Sequence, residues 1–143
     1  MELKDPDRLY CDKKDKSIYD NLKEEGPFKK KDLIDIFMVA MAIGFKHKNR
    51  IKLTKKEGII LFKSFEANEK KPMTIIKAIA INETGNLDIL LDKRELFSIA
   101  EEYATGGINI LREEIGIDYE SYIRQLETEL IEMVEKNIIF ENK

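Results

Sequence analysis

Residues 31–45 read KDLIDIFMVAMAIGF, and from Ile36 to Phe45 every residue is apolar or glycine. A helix on a protein surface needs only one apolar stripe facing the core, so a helix apolar on all sides belongs inside a domain. At roughly 15 residues the stretch is too short to span a membrane, which takes about 20. It predicts the buried central helix of a soluble protein, with Leu33, Phe37, Met41 and Phe45 at successive i+4 spacings and Gly44 near the end.

Toward the N-terminus, residues 1–14 lack a sustained period and carry Pro6, which predicts an extended or poorly ordered arm ahead of one helical domain over 15–143. Ser17 is a good N-cap with Asp20 three residues on, and Ile18, Tyr19 and Leu22 share one side of a short helix. Gly26 followed by Pro27 is a helix stop.

Toward the C-terminus, the run 46–56 holds six Lys or Arg and no acid, and reads as a basic turn or loop. Gly58–Phe62 with Phe65 suits a short strand, a hairpin or a helical turn, because periodicity does not separate these in so short an apolar run. Pro72 fits a first helical turn. Ile75, Ile76, Ile79 and Ala80 then form an apolar stripe that ends near Thr84 and Gly85. Asp92 and Glu95 open the next helix, whose apolar ladder runs Leu96, Ala100, Tyr103, Gly107 and Leu111. Gly106 and Gly107 inside it cost roughly 2 kcal/mol relative to alanine. Either a second helix approaches closely over Gly107, or the pair divides the helix in two. Asp118 caps a last helix with Leu126, Leu130, Met133 and Val134 on its apolar face. The fold class expected is all-α: a compact single domain of about five helices around the central one, with at most a short strand or hairpin near 58–65.

The composition fits one domain. At 143 residues with 43% hydrophobic content there is enough for one core, and 37% charged residues with a net charge of −3 make a mixed surface rather than a single-sign field. The lone Cys11 forms no internal disulfide, and no charged-then-apolar leader follows Met1, so a cytoplasmic location is expected.

Catalytic and metal signatures are missing. The only histidine, His47, sits among Lys46, Lys48 and Arg50 with no second ligand at zinc spacing. No P-loop, GxGxxG or GxSxG is present. Cys11 reads as an ordinary free thiol rather than a nucleophile. Adjacent carboxylates at Glu101–Glu102 and Glu113–Glu114 point about 100° apart on a helix and form no dyad. No catalytic, cofactor-binding or metal residue is therefore assigned, and no cofactor is expected.

Charge distribution rises above this background. Residues 29–56 carry nine basic residues against two acids, and residues 113–141 carry nine acids against two basic residues. The basic run supplies the candidate contact residues Lys46, Lys48, Arg50, Lys52, Lys55 and Lys56, for nucleic acid or for an acidic partner. The plainer reading sets the basic loop against the acidic last helix so that each neutralises the other. The negative overall charge, and the lack of an aromatic residue within 46–56 to stack on bases, favour the plainer one.

Two stretches, GPFKKKDLIDIFMVAMAIGFKHKNR at 26–50 and AIAINETGNLDILLDKRELFSIAEEYATGGINILREEI at 78–115, span nearly half the chain. They resemble a family of small accessory proteins associated with Dnd-type DNA phosphorothioate modification and restriction systems. The resemblance implies a prokaryotic protein of a defence system against foreign DNA, with protein partners from that system, and brings no catalytic residue. The leading expectation is a non-enzymatic accessory or interaction protein with no membrane association. Direct DNA binding or regulation through the 46–56 loop is the second, and an enzyme with a site unrecognisable from sequence is the third. Self-association is open.

Overall fold

The computed structural model describes residues 6–24, 28–29, 32–68, 71–114 and 119–141, the side chains of 119–123 and 137–141 excepted. Chain order is β1 (Arg8–Asp12), a 3-10 turn (Lys13–Asp15), α1 (Lys16–Glu24), α2 (Leu33–Lys46), β2 (Lys56–Leu61) and α3 (Phe62–Glu66). Then come α4 (Pro72–Thr84), a second 3-10 turn (Leu87–Leu91), α5 (Lys93–Glu114) and α6 (Tyr119–Glu141). The sixth helix, beyond the five expected, is the short α3. The ambiguous run near 58–65 divides: its first half is a strand and its second half this helix.

Every residue of α2 is buried or half-buried, and its centre forms the core with α5. Ile36, Phe37, Ala40, Met41 and Ile43 meet Leu96, Ile99, Ala100, Ala104 and Ile108 there. α2 opens on a capping box that the sequence reading did not single out, in which the Asp32 backbone N–H donates to the Asp35 carboxylate at 3.2 Å. At α5 the Glu95 N–H donates to Asp92 Oδ1 at 3.1 Å, as the spacing suggests.

α5 runs unbroken through Gly106 and Gly107, which answers the open question in favour of close approach. A Cβ on Gly107 would strike the Ala40 carbonyl, one on Gly44 the Tyr103 carbonyl, and one on Gly106 the Asn49 carbonyl. Two helices whose backbones touch are packed more closely than side chains at the crossing would allow.

β1 lies inside the stretch expected to be an arm. It pairs antiparallel with β2, Leu9 opposite Ile60 and Cys11 opposite Glu57, with an irregularity between Leu9 and Tyr10. Leu9 and Cys11, two apart, both enter the core as strand alternation requires. The Tyr10 N–H donates to Glu101 Oε2 on α5 at 2.7 Å, and Asp12 accepts from both the Thr54 N–H (2.7 Å) and the Thr54 hydroxyl (2.9 Å). These bonds fix the ribbon to α5 and to the end of the basic loop.

Three local expectations are corrected. Ser17 is not the N-cap of α1: the helix starts one residue earlier, directly from the 3-10 turn, whose cap is Asp12. Ile75 is 47% exposed although its stripe partners Ile76, Ile79 and Ala80 are buried, because it projects from a different face of α4. Val134 is 52% exposed, since α6 turns Leu126 and Leu130 toward the core and leaves Met133 half-buried. The expected stop at Gly26–Pro27 and cap at Asp118 lie outside the described residues.

Candidate functional site: the arginine clamp and its cleft

The contact of α2 with α5 decides what the basic segment can do. Because Gly44 and Gly107 bring the helices together, the chain leaving α2 is laid directly along α5. Asn49 is fixed twice: its N–H donates to the Gly44 carbonyl at 2.8 Å, and its side-chain amide donates to the Gly106 carbonyl at 3.1 Å. Two residues on, the Ile51 N–H donates to the Glu102 carbonyl at 3.1 Å. Arg50, held between these anchors, is aimed between α4 and α5.

There it meets three carboxylates. Its Nε donates to Glu102 Oε1 at 3.1 Å and its Nη1 to Glu83 Oε1 at 3.2 Å, while Nη2 stands 3.7 Å from Glu95 Oε1. The acids are themselves oriented. Ser98 Oγ donates to Glu102 at 2.8 Å, and the Tyr103 hydroxyl donates to Glu83 at 2.5 Å. Burial alone would lower the Arg50 pKa, but the adjoining Glu102 and Glu83 carboxylates outweigh it and hold the guanidinium above its ordinary value. A planar five-donor fork suits several carboxylates at once, where the single ammonium of lysine would serve one.

Burial, with the hydrogen bond to Glu83, pushes the Tyr103 phenol up to about 12. Burial, with Glu57 nearby, pushes the Cys11 thiol up to about 12. Both are therefore held in their protonated forms at neutral pH. No group of three or more His, Cys, Asp or Glu among the described residues has the geometry to hold a metal ion.

The six predicted contact residues are dealt into separate environments. Lys46 pairs with Glu129 of α6, so at this point the basic segment and the acidic last helix do lie together. Arg50 is in the clamp. Lys56, on β2, places its ammonium 5.9 Å from the Tyr10 ring centroid. Lys48, Lys52 and Lys55 are exposed and form no ion pair among the described residues.

Beside the clamp opens a cleft of about 510 Å³, lined by Phe45, Lys48, Asn82, Tyr103, Met133 and Lys136 together with Arg50 and Glu83. Phe45 and Tyr103 meet edge to face, 5.7 Å between centroids at 84°.

Sequence reasoning missed the three acids of the clamp. One signal was available: Arg50 is the only arginine in a run of lysines, and it is the member that meets three carboxylates. It also missed the second 3-10 turn, LDILL at 87–91. Leu87 is 68% exposed, Leu90 36% and Leu91 88%, and no residue of the turn is buried.

No helix among the described residues is long and apolar enough to cross a membrane. No curated protein and no solved structure matches the chain. A family model does, over residues 8–142, so nearly the whole length from β1 through α6 is covered: the chain belongs to the family described as DNA sulphur modification system-associated protein 4.

Proposed function

We propose that this protein is a non-enzymatic accessory component of a DNA sulphur modification system, serving its defence role by binding another protein of that system. The observation that carries the reading is the leucine turn. In a 3-10 helix residues three apart are eclipsed, so Leu87 and Leu90 stand side by side with Leu91 adjoining them. Gly85 in the left-handed conformation (φ 67°) ends α4, and the Asn86 side chain accepts from the Asp88 N–H at 2.9 Å. The Asp92 N–H closes the far end on the Ile89 carbonyl at 3.0 Å. Three leucines held in water by a preformed turn suit an apolar groove on a partner, because little conformational freedom remains to be lost on docking.

Co-expression with the other proteins of the modification system tests this. The parent chain is expected to co-purify with one of them, and Leu87→Asp with Leu91→Asp to abolish that while leaving the melting temperature within a few degrees. Retention of the same partner by the doubly substituted chain overturns the leucine turn as the docking element.

Direct contact with DNA is the second reading, and the exposed ammoniums of Lys48, Lys52 and Lys55, without an ion pair among the described residues, favour it. Three neutralised phosphates give a log–log salt slope of about −3. Filter binding of duplex DNA at two salt concentrations, repeated with all three lysines changed to glutamate, decides it. Absence of retention at low salt removes this reading.

A further inference from the structure

We propose that the cleft between the end of α2, α4, α5 and α6 binds a small organic phosphate of nucleotide size. The inference does not rest on the leucine turn. A cleft of about 510 Å³ falls in the range of roughly 300–1,000 Å³ common for small-molecule sites. Its charges are unevenly satisfied. Arg50 is shared by Glu83 at 3.2 Å and by Glu95 and Glu102, which do not line the cleft, whereas Lys48 and Lys136 both line it, both are exposed, and neither has an ion-pair partner among the described residues. Glu83 is the one carboxylate among the lining residues, so an anion entering beside Lys48 and Lys136 meets two ammoniums that form no ion pair among the described residues. A phosphate monoester carries about −1.5 to −2 at neutral pH and matches both, while a carboxylate would leave one unanswered.

The remaining wall describes the rest of the ligand. Half-buried Phe45 and Met133 offer apolar surface against which an aromatic or aliphatic body can pack. Asn82 brings an exposed side-chain amide with no hydrogen-bond partner among the described residues, able to donate and accept at the edge of a heterocycle. Bare phosphate would use the lysines and leave this wall in water.

Lys48 supplies a second, independent observation. Its φ is 53°, at the position after the α2 cap where the Lys48 N–H donates to the Phe45 carbonyl at 3.1 Å. This helix-ending site is where glycine is ordinarily found, since a side chain there is strained. A lysine that lines the cleft is held in a backbone conformation that favours glycine.

Isothermal titration of the full chain with AMP, adenosine and inorganic phosphate tests the proposal. AMP is expected to bind more tightly than either fragment. Lys48→Gly and Lys136→Ala are each expected to weaken AMP by at least about tenfold, as loss of a charge-assisted contact does. Lys48→Gly relieves the left-handed backbone, so its melting temperature should equal or exceed that of the parent, which separates lost binding from lost folding. Leu91→Asp should leave AMP binding unchanged, so failure of the docking surface does not imitate failure here. A 5′-phosphorylated trinucleotide that binds with the same lysine dependence, in place of AMP, assigns the phosphate to a strand end. No binding of AMP or trinucleotide at millimolar concentration, or binding indifferent to both lysine substitutions, overturns the proposal.

Discussion

Gly107 of α5 lies directly against the Ala40 carbonyl of α2, so close that a Cβ on the glycine would overlap the carbonyl oxygen and crowd the Gly44 N–H as well. The obstructing atoms are backbone, which a rotamer change does not move. The same approach lays the segment after α2 along α5 and so places Arg50 among its carboxylates.

Gly107→Ala is therefore expected to destabilise even though alanine is the better helix former by about 1 kcal/mol. Overpacking should exceed that gain and leave a net loss of roughly 1 to 3 kcal/mol, larger for Gly107→Leu. Urea denaturation measures it. An alanine variant as stable as the parent would show that the helices separate at little cost.

Met41 is fully buried at the centre of α2. Met41→Asp places a carboxylate there with no cation to meet it, a change expected to exceed about 4 kcal/mol. A domain of this size has about 5 to 15 kcal/mol in total, so most or all cooperative unfolding should be lost. A sharp thermal transition by circular dichroism within 10 °C or so of the parent contradicts the expectation.

Arg50→Ala leaves Glu83, Glu95 and Glu102 facing one another without their shared cation. Because the site is partly open to water, the expected loss is about 1 to 2 kcal/mol rather than the larger figures of a sealed ion pair. Arg50→Lys should recover only part of it, since one ammonium does not reach three carboxylates. Equal stability of parent and alanine variants at low salt would reduce the clamp to ordinary surface pairing.

How much of this was legible in sequence depended on range. α2 and the ladder of α5 were readable because each repeats an apolar spacing over three or more turns, while the glycine pair left close approach and a broken helix both open until the backbone contact decided between them. β1 was not, since RLYCD gives one alternation and its partner lies more than 40 residues away. The basic run could be counted but not divided: whether a lysine meets water, Glu129 or a cleft is settled by helices far along the chain. The leucine turn was hidden by its own composition. Leu87, Leu90 and Leu91 look like core material, and only the geometry after Gly85 turns them outward.

The bond from the Tyr10 N–H to Glu101 leads to the last prediction. Glu101 is buried, and burial raises its pKa from the usual 4.5 to about 7, against the lowering effects of that hydrogen bond and of Lys56. In the folded chain the carboxyl holds its proton up to near neutrality, while in the unfolded chain it releases it near 4.5. Between those values the native state binds more protons than the unfolded state, so this group's contribution to stability falls as pH rises and is level above about 7. A displacement of that size corresponds to roughly 3 kcal/mol at most. Asp12 acts in the opposite sense, its pKa lowered chiefly by the Thr54 N–H, but its contribution is lost only as pH drops below the ordinary carboxylate range. Glu101→Gln keeps an oxygen for the Tyr10 N–H and removes the titration. Relative to the parent it should gain about 2 to 3 kcal/mol between pH 5 and pH 8, whatever its offset at pH 5. Urea melts of both proteins at the two pH values give the difference. A difference that does not change with pH would mean that Glu101 is already ionised at pH 5, with water or Lys56 sustaining its charge.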